Sequence, residues 1–214
     1  MLVGSRMTPD PITVTEKTPV DEALRIMREK KVRRLPVLNK KGAMVGIVAE
    51  KDILYASPSP ATSLSIHEIH YLVSKLTVGE IMQKEVFTVT DDTPLEEAAR
   101  IMADNQIGAL PVLRDGKLVG IITETDIFKA FLELLGAREP GVRLTMRIPR
   151  GQGMLPLCTE TISKLGGRLL AVTTWGGEEP GGTIVTAKVA GLEKKQLTEG
   201  IAKLGVEYLD VREA

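Results

Sequence analysis

Among 214 residues there is one cysteine, Cys158, which excludes an intrachain disulfide framework and a cysteine-rich metal site. Aromatic residues make up only 3% of the chain, too few to interleave with cations as single-stranded nucleic-acid surfaces require. Lysine and arginine total 28 and are matched by 28 carboxylates, so no global field draws in nucleic acid, and none is expected as a partner. No run approaches the roughly 20 apolar residues that span a bilayer, and no membrane partner is expected. The opening MLVGSRMTPDP lacks the apolar core of a secretory signal. These absences together point to a reducing, cytoplasmic setting. The only histidines, His67 and His70, sit three apart on a helix expected over Ser65–Leu76, without a third ligand beside them. They read as part of a solvated helix face. No Ser/His/Asp or Cys/His constellation, phosphate-binding P-loop or dinucleotide fingerprint is present, which argues against an enzyme.

What the chain does contain is a duplication. Residues 7–39 align with 82–114 at an offset of 75, and 42–56 with 116–130 at 74; 23 of these 48 pairs are identical, far beyond chance. TVTEKTPVDEALRIM faces TVTDDTPLEEAARIM, LPVL faces LPVL, and VGIVAEKDI faces VGIITETDI. Each copy begins with a β-branched strand, Thr13–Thr15 or Thr88–Thr90. Thr18-Pro19 and Thr93-Pro94 then predict an N-cap threonine before a helix whose first turn is acidic. A hairpin follows (Leu35–Leu38 to Met44–Val48; Leu110–Leu113 to Lys117–Ile122), and Asp52 or Asp126 opens a second helix. The turn-rich SPSPATS links the copies. The spacing predicts four parts: a first repeat over 1–60, a linker helix over 61–76, a second repeat over 77–136 and a separate domain over 141–214.

The repeat resembles a tandem pair of CBS domains, a regulatory module. The family's Gly-x-x-Thr/Ser-x-x-Asp/Asn signature is complete as Gly120-Ile-Ile-Thr123-Glu-Thr-Asp126. In the first copy it reads Gly46-Ile-Val-Ala49-Glu-Lys-Asp52, with alanine in place of the hydroxyl. The resemblance implies an α+β fold, two β-α-β-β-α units, that binds an adenine nucleotide (AMP, ADP or ATP) as a regulatory ligand in two clefts, with no required cofactor. Asp126 would take the ribose, Thr123 a phosphate, and Ile121, Val89, Ala109 and Pro111 would surround the base. Asp52, Pro36, Ile47 and Val14 are their first-copy counterparts, and Arg34, at the end of a basic stretch, is the phosphate candidate there. Thr123 and Asp126 also suit plain helix capping. Both copies contribute to both clefts, and the sequence alone does not say which strand residue lines which.

Residues 141–214 read as β-α-β-β-α-β, the order of a ferredoxin-like split βαβ fold. Val142–Ile148 alternates charged and apolar residues as a strand with one exposed face should. The entry Gly153-Met154-Leu155 resembles that of an ACT domain, and a CBS pair followed by ACT is similar to acetoin-utilisation-type regulatory proteins. That resemblance implies an amino acid or small metabolite at the turn Arg150, Gly151, Gln152, Gly153. A four-stranded sheet with helices on one face leaves the other bare. Placing Val142, Leu144, Met146 and Ile148 there gives an apolar surface that a homodimer would cover. The function expected is non-catalytic ligand sensing; an enzyme, or an interaction module without a small ligand, is the alternative.

Overall fold

The computed structural model of the chain describes residues 1–56, 75–149, 153–176 and 182–214. They fall into two compact units, Met1–Ile127 and Phe128–Ala214. The linker helix expected over 61–76, with His67 and His70, lies outside the described residues apart from its last two positions. No helix among the described residues is long and apolar enough to cross a membrane.

The duplicated sequence folds twice in the same way. The first copy runs β1 (Thr8–Pro9), β2 (Val14–Thr15), α1 (Val20–Lys30), β3 (Arg34–Leu38), β4 (Met44–Ala49) and α2 (Glu50–Ala56). The second runs α3 (Val78–Ile81), β5 (Val89–Thr90), α4 (Leu95–Asp104), β6 (Ala109–Arg114), β7 (Lys117–Thr123) and α5 (Glu124–Leu134). In each, a two-residue strand pairs in parallel with the first hairpin strand, Val14 beside Val37 and Val89 beside Val112. Leu35, Val37 and Val48 point from the first-copy sheet onto Ala23 and Met27 of α1, and all five are at most 2% exposed.

The strand β1 was not expected. It pairs with β7 of the other copy, giving the order β1-β7-β6-β5. A shorter counterpart is the bridge between Ile47 and Gln83, which exchange hydrogen bonds of 3.0 and 2.9 Å. The copies are thus interlocked by their leading segments. Val3 N–H bonds to Thr93 and Val78 N–H to Thr18, and both valines are fully buried.

The threonines do not cap the helices as predicted. Pro19 and Pro94 occupy the N-cap positions and no side chain caps either helix. Instead Thr18 Oγ1 accepts from the Thr15 N–H at 3.0 Å and Thr93 Oγ1 from the Thr90 N–H at 3.1 Å, closing the preceding turns. The first helical N–H groups of Val20 and Leu95 are satisfied by the carbonyls of Leu76 and Met1. A local Thr-Pro pattern cannot reveal a cap supplied by distant backbone.

In the second unit β8 (Val142–Ile148), α6 (Met154–Lys164), β9 (Arg168–Trp175), β10 (Thr183–Ala190), α7 (Lys194–Ala202) and β11 (Glu207–Glu213) follow one another. The strands form an antiparallel sheet in the order β11-β8-β10-β9. The expectation for Val142, Leu144, Met146 and Ile148 is corrected: they are not a bare face. They form the core with Cys158 and Ile162 of α6 and Leu197 and Ile201 of α7. Arg143, Thr145 and Arg147 lie on the opposite face, where Thr145 Oγ1 and Thr186 Oγ1 share a hydrogen bond of 3.0 Å. β8 is central in the sheet, so even Thr145 is buried. Gly166, at φ +88°, follows the end of α6 in a left-handed conformation that costs glycine least.

Cys158 is 1% exposed, and burial pushes its thiol pKa up. Ellman's reagent at pH 8 is therefore expected to leave the native thiol unreacted and to titrate one thiol per chain only after unfolding. Rapid reaction of the native protein would contradict this packing.

Candidate functional site

In both copies a hairpin strand runs directly into a helix, and the third helical residue is the signature aspartate. Asp52 accepts a hydrogen bond from the Ala49 N–H at 2.8 Å. Asp126 accepts from the Thr123 N–H at 3.0 Å and from Thr123 Oγ1 at 2.7 Å. Each carboxylate reaches back to the residue before its helix, so its position is fixed by local backbone. Asp126 thus ties down the N–H at the helix start, while the Thr123 hydroxyl donates to Asp126 and does not accept a helical N–H. These bonds do not use up a carboxylate, which offers about four lone-pair sites.

A cleft of about 460 Å³ opens beside Asp52, within the size range of small-molecule sites. Of the expected residues it brings together Asp52, Ile47 and Arg34 with Ala109 of the other copy. Val14, Pro36, Val89 and Pro111 do not line it; all four are buried in their sheets. Ile121, Thr123 and Asp126 occupy the equivalent places in the other copy, with Ile121 buried and the other two half-buried.

Two parts of the wall were missed. One is the segment from Gln83 to Phe87, held over the cleft by the Ile47–Gln83 bridge. The other is the run Asn105–Gly108, after α4. The signal was available in the alignment, because 83–87 matches 8–12, the segment that contains β1. What the sequence withheld is that each leader lies on the opposite copy.

Arg34 stands half-buried on the cleft floor. Desolvation lowers its guanidinium pKa and the neighbouring Arg33 adds to this, while Glu124 and Asp52 oppose them. The arginine thus lies in the field of one carboxylate from each copy. A partly apolar cleft with a fixed carboxylate at its rim and a guanidinium on its floor can hold a ligand combining a flat apolar body, vicinal hydroxyls and a polar tail.

Of the expected metabolite turn, Arg150, Gly151 and Gln152 lie outside the described residues. Gly153 is the N-cap of α6 at φ +102°, with no side-chain cap bond. Among the described residues no three His, Cys, Asp or Glu side chains converge to hold a metal ion.

CBSX2, a chloroplastic CBS domain-containing protein of Arabidopsis thaliana, is 34% identical over 152 residues. The match covers 62% of this chain and 64% of CBSX2, so under two thirds of that protein is spanned. The structure of CBSX2 in complex with AMP superposes with a TM-score of 0.52 at 35% identity, covering 61% of this chain and 96% of the other. The CBS domain pair of protein MJ0100, in complex with 5′-methylthioadenosine and S-adenosyl-L-methionine, gives a TM-score of 0.52 at 30% identity over 61% of this chain and 99% of that one. A protein of Vibrio cholerae described as a putative acetoin utilization protein, AcuB, gives 0.54 at 29% identity, covering 65% and 96%. The CBS domain family itself matches residues 3–59 and 78–133, over half the chain and both copies of the repeat. A tandem repeat that matches twice, folds twice and shapes a cleft between its copies belongs to the CBS-domain family.

Proposed function

We propose that this chain is a non-catalytic regulatory protein whose CBS pair senses an adenine nucleotide. The observation that carries the reading is the cleft at Asp52, roomy enough for an adenosyl group and bordered by an oriented carboxylate that the repeat supplies a second time as Asp126, beside the Thr123 hydroxyl. Asp52 and Asp126 accept the ribose hydroxyls, and the Thr123 hydroxyl, which donates to Asp126 in the ligand-free fold, turns to donate to a phosphate. The AMP complex of CBSX2 and the adenosyl complexes of the MJ0100 pair support that ligand class. Isothermal titration of the full chain with AMP, ATP and S-adenosylmethionine tests it. Saturable binding of at least one is expected; no heat from any of them at millimolar ligand would overturn the reading.

The second unit is read as a ferredoxin-like split βαβ domain of ACT type, supported by its strand order and by helices after its first and third strands. A small metabolite at its Gly153 end remains the ligand class that this resemblance suggests.

A homodimer is retained on a different surface from the corrected sheet face. Helix α2, in the first unit, exposes Leu54 60% and Tyr55 86%, and the part of α5 in the second unit exposes, by itself, Phe128 67% and Phe131 55%. Such exposure is unusual for an isolated monomer. Light scattering is expected to give twice the 23.2 kDa chain mass, and Tyr55→Glu with Phe128→Glu to give the monomer. A wild-type monomer at tens of micromolar would remove the dimer.

A further inference from the structure

The repeat maps each residue that walls the Asp52 cleft onto a residue around Asp126, which together make a mapped Asp126 cleft, and the backbone follows the map closely. The bridge of Ile47 to Gln83 corresponds to the pairing of Ile121 with Thr8. Glu50 N–H bonds to the Arg33 carbonyl at 3.0 Å, and Glu124 N–H to the Gly108 carbonyl at 3.2 Å. Lys31 and Gln106, equivalent residues after equivalent helices, both turn at φ +54°.

Side-chain chemistry does not follow it. The stretch Asn105-Gln106-Ile107-Gly108, which walls the Asp52 cleft without any charge, corresponds to Lys30-Lys31-Val32-Arg33 at the Asp126 cleft. Lys51, on the first cleft's rim, corresponds to Thr125, and Glu85 to Asp10. Arg34 and Ala109 are each other's counterparts, so both belong to both floors. The Asp52 cleft therefore carries two cations, Arg34 and Lys51, against two carboxylates, Asp52 and Glu85. The mapped Asp126 cleft carries four cations against Asp10 and Asp126.

Lys30, Lys31 and Arg33 are exposed, and among the described residues none has a carboxylate partner. Their field is not spent within the fold. The hydroxyl also follows the charge: Thr123 is present at the basic cleft, and Ala49 replaces it at the neutral one. At the neutral cleft Glu85 would repel a phosphate, while half-exposed Phe87 offers an apolar shelf where the mapped cleft has Ile12.

Resting on the reading that these clefts take adenosyl compounds, we propose that they are divided by ligand charge. The Asp126 cleft is the phosphate site and takes adenine nucleotides, polyphosphates above all, because unpaired cations attract a multivalent anion and its hydrogen-bonded phosphates. The Asp52 cleft takes an adenosyl compound without phosphate, whose 5′ substituent is apolar or cationic. One chain thus compares a charged with an uncharged adenosine derivative.

Titrations of the full chain with ATP and with 5′-methylthioadenosine test the division. ATP affinity is expected to fall steeply as salt rises past the ionic strength where the Debye length is about 10 Å, while methylthioadenosine affinity stays level. The variant Lys30→Asn, Lys31→Gln, Arg33→Ala, changed only at exposed positions, is expected to weaken ATP by roughly tenfold or more and to leave methylthioadenosine within about twofold. That retained binding also certifies its fold. Asp126→Ala should remove ATP alone, and Asp52→Ala methylthioadenosine alone. ATP binding unmoved by the triple variant, or lost with Asp52→Ala instead, overturns the division while leaving adenosyl binding itself intact. Wild-type protein that binds neither compound at millimolar concentration overturns both.

Discussion

The double variant Asp52→Ala, Asp126→Ala is expected to bind AMP roughly a hundredfold or more weakly than the wild-type chain while remaining folded. A hydrogen bond to a charged acceptor contributes about 1.5–3 kcal/mol, and a carboxylate beside a ribose can take two. About 1.4 kcal/mol is tenfold in affinity, so loss of even one bond at full strength is visible by calorimetry. The folded state loses less. Each aspartate also holds the N–H of the residue before its helix, Ala49 or Thr123, and loss of such a cap costs about 0.5–2 kcal/mol. That is tolerable in a domain stable by roughly 5–15 kcal/mol. Asp52→Asn with Asp126→Asn separates the two roles, since an amide oxygen still accepts the backbone N–H but carries no charge. It should keep wild-type melting and still lose most of the affinity. AMP binding unchanged in both double variants would remove these carboxylates from ribose recognition.

The position of the aspartates was legible in the sequence because it is set locally. A strand ending three residues before an Asp fixes carboxylate, backbone N–H and helix start together, and nothing distant has to be known. Arg34 was legible for a similar reason, lying at the start of the strand Arg34–Leu38. Val14, Pro36, Val89 and Pro111 are expected around the base only from the resemblance, and the period-2 alternation of a strand shows only that they are buried. Whether a buried side chain faces a cleft or the core depends on the helices packed against its sheet. The walls at Gln83–Phe87 and Asn105–Gly108 depend on the crossing of leader segments, a long-range pairing invisible to windowed patterns.

The second unit shows the same limit from the other side. Element order and the glycines after its helices were readable, because Gly166 and Gly205 adopt the positive φ that their positions in the pattern suggest. The face assignment was not. Alternation in Val142–Ile148 separates an apolar from a charged row but does not say which row the helices choose; Cys158, Ile162, Leu197 and Ile201 settle it by packing on the apolar one. The charged row then survives on a central strand because its members find partners, as Arg143 does with Asp210 at 2.8 Å.

Two separate cores lead to the other large expected effect. Leu35, fully buried, packs among residues of the first unit, with Val78 and Met82 from the second copy's leader. Leu144, also fully buried, packs in a core formed, among the described residues, by residues between 142 and 211 of the second unit. Truncating a buried leucine to alanine costs about 2–5 kcal/mol, the spread reflecting how far the surroundings collapse into the cavity. Each kcal/mol shifts the melting point by about 4–8 °C in a domain of the second unit's size and by less in the larger first unit, so shifts on the order of 10 °C are expected. Scanning calorimetry of the full chain should resolve which transition moves: Leu35→Ala lowers one and Leu144→Ala the other. AMP should raise only the transition that Leu35→Ala lowers, since a ligand stabilises the unit that binds it by mass action. In Leu144→Ala protein that ligand-induced rise should persist at wild-type size. A single transition lowered equally by both substitutions, and raised by AMP in both, would show that the two units unfold as one and that the cores are not energetically separate.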